Sequence, residues 1–149
     1  MIDLRDYPST PIVYELAEYL IPTAKEFFTA SIPNPEVPGE FYYTEPFVSG
    51  KINEADGEIT DDEIYKGKVV IIINEHTVSQ GETTAMSLRN TPGSIVLGRP
   101  SAGTNGDICD FTLPGNIKTS ISGLGVFMSR QKTSSNSRSS ARYLCGTYN

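Results

Sequence analysis

The sequence predicts an α/β domain with a βαβ unit at its centre and a strand-rich C-terminal part. Three observations carry that class. Lys68 to Ile73, KVVIII, is β-branched and unalternating, which suits a strand of a parallel sheet buried on both faces. A helical segment follows from about Ser79 to Arg89, containing Thr84, Met86 and Leu88, and stops before the turn signal Thr91-Pro92-Gly93. Ser94 to Gly98, SIVLG, then reads as a second strand, and strand, helix, strand in that order makes a right-handed parallel crossover.

The remaining elements fall in place around this unit. Ile2 to Leu4 reads as the end of a buried strand whose beginning has been cut off. Thr10-Pro11 supplies an N-cap and a first-turn proline for IVYELAEYL, in which Val13, Leu16, Ala17 and Leu20 share one helical face. From Ile21 to Lys66 the composition turns to proline, aromatic and acidic residues, and the expectation is an irregular excursion with short strands and a mobile acidic loop. After SIVLG come a glycine-rich loop, SAGTNG, a pair of strands around Pro114-Gly115, and SISGLGVF. The class is α/β with a strand-rich C-terminal part.

Bulk properties narrow the function. With 149 residues and 38% apolar content, the chain is one domain or a piece of one. A net charge of -6 argues against a nucleic-acid partner, since phosphate recognition needs a basic face. No apolar run is long enough for a membrane span. Cys109 and Cys145 have neither metal spacing nor the density of a disulfide scaffold, so they do not fix the compartment; no metal and no cofactor is expected. Gly103 and Gly106 lack the following G-K-[ST] of a phosphate loop, which excludes a nucleotide site of that kind.

The most informative stretch is NEHTVSQGE, Asn74 to Glu82, directly after the apolar strand. Ser79 and Glu82 form an S-x-x-E capping box, in which the serine caps a helix and the glutamate reaches back to it. The same position puts Ser79 beside orphan N–H groups and the positive end of a helix dipole, where an oxyanion would be stabilised. His76, three residues earlier, reads as a turn residue facing solvent, and two side chains so close on one turn seldom align for proton transfer. Asp3 and Arg5 read as a strand-end ion pair.

GKVVIIINEHTVSQGE followed by SIVLGRPSAGTNGD resembles the tail-specific, or C-terminal processing, serine peptidases, with IDLRDYP at the start and TLPGNIKTSISGLGVF near the end extending the match over about residues 1 to 127. The resemblance implies a Clp protease and crotonase-like core in which Ser79 is the nucleophile and forms an acyl-enzyme with a peptide or protein substrate. It also implies an oxyanion hole from the backbone N–H of Gln80 and a second donor that falls in the DLRDYPST segment, where Ser9 or Thr10 is the candidate. His76 and Glu82 are candidate auxiliary residues. The sequence departs from the family at the base. Thr104 stands where one branch places its lysine, and the histidine and second serine of another branch belong to an upstream segment from which this chain starts downstream. The expectation is therefore an incomplete, inactive core, because an unassisted serine lacks a proton acceptor. The family points to the cell envelope, periplasm or secreted space.

Past Phe127 the pattern gives way to SRQKTSSNSRSSARYLCGTYN, so the domain division is 1–127, a partial peptidase catalytic domain, and 128–149, a non-family tail expected to be disordered. With free synonymous codons, reading one base later lets Ser129 to Ser134 encode P-D-K-K-L-Q and Arg142 to Tyr148 encode D-I-Y-V-E-P-T, which makes a frameshift a testable origin for that tail. An uncovered sheet edge there would favour homo-oligomers. Two other functions compete. A non-catalytic module binding a hydrophobic ligand or peptide could use the same fold, whereas an acyl-CoA enzyme of the crotonase group would need no nucleophilic serine.

Overall fold

The computed structural model describes residues 1–51 and 59–129. Within them the chain is a mixed α/β structure with three sheets. The first is parallel: β1 (Ile2–Asp3), β5 (Val70–Ile73) and β6 (Ile95–Gly98) lie in the order β1-β5-β6, with Ile2 opposite Ile71 and Val96 opposite Ile71 on the far side. β5 and β6 are joined by α2 (Gln80–Leu88), which is the strand–helix–strand unit expected from the sequence. The second sheet is antiparallel and centred on β2 (Lys25–Pro33), which pairs with β3 (Phe41–Tyr43), β4 (Phe47–Ser49) and β9 (Gly125–Met128). The third is a hairpin of β7 (Ile108–Leu113) and β8 (Ile117–Ser122), turning at Pro114-Gly115.

The main core forms where one face of the parallel sheet meets the helices. Leu4, Val69, Ile71 and Ile73 pack against Ala17, Leu20 and Ile21 at the end of α1 (Val13–Leu20) and against Ala85 and Leu88 of α2. Burying aliphatic side chains of this kind contributes about 1.5–3 kcal/mol each. α2 has no apolar stripe, and the reason is its position. Most of its residues are buried, because one side meets β5 while the other meets the antiparallel sheet, where the Ser87 hydroxyl donates to Ser49 Oγ at 2.7 Å.

Three expectations are corrected. KVVIII is not equally buried on both faces: Val69, Ile71 and Ile73 are buried, whereas Val70 and Ile72 are only half-buried because no described element covers that side. Thr10-Pro11 does not start the first helix. Ile12 is its N-cap, and the residues before it cross over the start of α2, where Pro8 lies against Gly81. The stretch after Ile21 is not simply irregular, since β2 is a nine-residue strand held on one side by β9. Its aromatic residues pack as sheet residues do: Phe28 stacks on Phe47 with centroids 4.2 Å apart, and Phe27 meets Tyr14 edge-on. Most of the acidic loop lies outside the described residues, as does the chain from 130 onward. β9 itself runs through Met128, and the Ser129 N–H donates to the Phe27 carbonyl at 3.2 Å.

Candidate active site

The turn between β5 and α2 is built by the polar residues of NEHTVSQGE. The Asn74 side-chain oxygen accepts from the His76 N–H, and the Asn74 N–H donates to Thr77 Oγ1. The Thr77 hydroxyl in turn donates to the Leu4 carbonyl at 2.8 Å, and its own carbonyl accepts from the Ala102 N–H. Thr77 therefore ties together the ends of β1 and β5 and the glycine-rich loop. Gly81 is where a side chain would press on Thr77 Cγ2, at 3.2 Å.

This frame delivers Ser79 as the N-cap of α2 with φ 45° and ψ −112°, a left-handed conformation that ordinary L-residues seldom adopt. Glu82, 1% exposed, closes the capping box: its Oε2 accepts from the Ser79 N–H at 3.0 Å. The same carboxylate reaches the loop after β6. Its Oε1 accepts from the Ser101 hydroxyl at 2.6 Å and the Gly103 N–H at 2.7 Å, and its Oε2 accepts from the Thr104 N–H at 3.1 Å. A buried carboxylate with four donors is fully satisfied, so its burial is compatible with the fold.

Ser79 lines a cavity of ≈ 310 Å³. Gln80 lines it too, and as the first residue of α2 its N–H belongs to the helix-end donors that have no partner within the helix. Apolar wall comes from Val13, Phe28, Ala30, Phe47, Leu124 and Val126, and polar wall from Thr83, Asn105 and Asp107. Asn105 is fixed there by its Nδ2 donating to Thr83 Oγ1 at 3.0 Å. A larger cavity of ≈ 650 Å³ shares Asn105, Leu124 and Val126 with the first and is walled by Phe41, Tyr43, Met86, Ile121 and Phe127.

A sequence profile of peptidase family S41 matches residues 16–140, most of the chain. The chain belongs to peptidase family S41. A crystal structure of a candidate peptidase from Parabacteroides merdae has a similar fold, with a TM-score of 0.65 at 15% identity; the similarity covers 80% of this chain and 36% of that one. The S41 chain thus spans about a third of the length of that structural relative. No curated protein sequence matches it.

Within this S41 chain the structure brings Ser79 and Gln80 together at one cavity, with Glu82 buried behind them. His76 is exposed on the turn and does not line the cavity. Ser9 is exposed in the crossing before α1; Pro11, not Ser9, reaches the cavity wall. Asp107 carries no distinguishing signal in the sequence, where it is one acidic residue after a glycine. Asp107 and Tyr14 are the ionisable side chains among the described residues lining the Ser79 cavity, and no histidine or lysine is among them. No group of described residues has the composition of a metal site.

Proposed function

We propose that the chain carries the nucleophile of a serine-type endopeptidase of the tail-specific, C-terminal processing kind, with Ser79 as the residue acylated. The observation that carries this reading is Ser79 itself: a non-glycine residue at φ 45° on a strand-to-helix turn, lining a cavity beside a helix N-terminus. Strained backbone of this kind is held where function needs a side chain aimed in one direction. The parallel β1-β5-β6 order, with the serine on the turn after the central strand, supports a Clp and crotonase-like arrangement.

In the reaction, Ser79 Oγ attacks the scissile carbonyl carbon as its proton passes to a base. The resulting oxyanion is met by the Gln80 N–H; the C–N bond then breaks, the amine leaves with a proton, and water releases the acid from the ester. The two adjoining cavities fit a peptide whose neighbouring side chain is apolar. Because no histidine or lysine is among the described residues lining the Ser79 cavity, the chain alone is proposed to turn over little or no peptide.

The test supplies the base from outside. Intact-mass measurement should show a fluorophosphonate adduct on Ser79 forming slowly, accelerated by added imidazole, and absent in Ser79→Ala. Failure of any adduct to form with imidazole present would sink the nucleophile reading. Saturable binding of an apolar peptide by that same unreactive chain would instead favour a non-catalytic binding module, a reading that the apolar wall of the larger cavity supports.

A further inference from the structure

We propose that Glu82 is the positioning residue of this site, a clamp that makes the 101–104 loop and the Ser79 turn one mechanical unit. Its effect on the reaction rests on the serine reading above; the clamp itself does not.

Three features set Glu82 apart from an ordinary capping glutamate. Capping requires one bond, to the Ser79 N–H, yet three further donors converge on the carboxylate from a loop about twenty residues later in the chain: the Ser101 hydroxyl and the Gly103 and Thr104 amides. All four partners donate, and a carboxylate presents acceptors only. The group is also buried at the N-terminal end of α2, where the helix dipole favours negative charge. One residue along α2, Thr83 ties Asn105. The loop is thus fastened to consecutive helix residues, and Asn105 is held at the wall common to both cavities. Ser79 keeps φ 45° because its N–H is drawn inward by Glu82 while Thr77 fixes the turn before it.

Glutamine cannot replace this group. Whichever way its amide is turned, the NH₂ faces two donors; the Ser101 hydroxyl can rotate to accept, but a backbone N–H cannot. The experiment follows amide hydrogen exchange in the full chain. Glu82→Gln should accelerate exchange at Ser79, Gly103 and Thr104 by about tenfold or more, while α1 and β2 stay within about twofold of wild type. Ser101→Ala removes one donor and leaves the carboxylate, so it should give a smaller rise at the same amides; it decides the matter if Glu82→Gln does not fold.

Imidazole-assisted fluorophosphonate labelling of Ser79 should slow by about tenfold in Glu82→Gln and less in Ser101→Ala. Uniform acceleration of exchange over the whole chain, or none at these amides, would overturn the clamp. Faster loop exchange with unchanged labelling would overturn its positioning role. Wild-type protein that takes no label removes the serine reading and leaves the exchange result to decide the clamp.

Discussion

Ser79 holds a backbone conformation that suits glycine better than serine, at φ 45° and ψ −112°. Strain of this kind costs on the order of 1–3 kcal/mol, and an N-cap serine replaced by glycine loses only a few tenths. Ser79→Gly should therefore melt at or above the wild-type temperature although it lacks the hydroxyl. Ser79→Ala, which keeps the strain and loses the cap, should be less stable by about 1 kcal/mol, and thermal denaturation of the two variants separates these outcomes. A glycine variant clearly less stable than wild type would mean that the turn is not strained. Glu82 shows a different limit of reading residues one at a time: S-x-x-E forecasts its bond to Ser79, but nothing in those four letters forecasts the three loop donors.

At the scale of elements, the end of β6 is the most demanding position. Gly98 has φ 122°, and a Cβ there would stand 1.9 Å from the Ile73 carbonyl oxygen across the β5–β6 pairing. Gly98→Ala should destabilise the fold by about 2–4 kcal/mol in urea titration, since both the conformation and the space are lacking. Leu88→Ala empties a fully buried position of α2 and should cost roughly 2–5 kcal/mol. At the end of β1, the Arg5 guanidinium bonds Asp3 at 2.6 Å and holds its carboxyl down at about 2. A carboxyl depressed in the folded state adds stability above its unfolded pKa of roughly 4, and that stability is lost as pH falls through about 2. Side-chain carbon NMR should find Asp3 titrating near that lower value, and Arg5→Ala should return it toward the ordinary range. Because the pair is exposed, the effect should shrink with added salt.

The whole molecule leaves one face of the parallel sheet uncovered by described elements. Ile95 and Leu97, 48% and 51% exposed, lie on that face with half-buried Val70 and Ile72. A net charge of -6 opposes self-association at neutral pH, and the charge vanishes near the pI of 4.7. Light scattering should accordingly show association rising as pH falls toward 4.7, and Leu97→Lys should reduce it. Scattering that is independent of both pH and the substitution would place the association elsewhere. No helix among the described residues is long and apolar enough to cross a membrane.

Local pattern was enough to read the strand–helix–strand unit, the β7–β8 hairpin and the turn bearing Ser79, because each is specified by residues within a few positions of one another. VVIII followed by a capping box, and Pro-Gly between two β-prone runs, are local signals. Tertiary structure alone decided the rest. β2 is a long strand because β4 and β3 pair with its two ends while β9, from the far end of the described chain, pairs with Phe28 to Ser31 between them, and pairing over such a separation leaves no periodic trace in either segment. The composition of KVVIII does not distinguish Val70 and Ile72 from their buried neighbours, because composition reports hydrophobicity, not which face a neighbour covers. Asp107, not His76 or Ser9, lines the cavity of Ser79 because the path of the loop after β6 is set by the Glu82 and Thr83 bonds to α2. Such bonds depend on where two distant backbones meet, which packing fixes and sequence spacing does not.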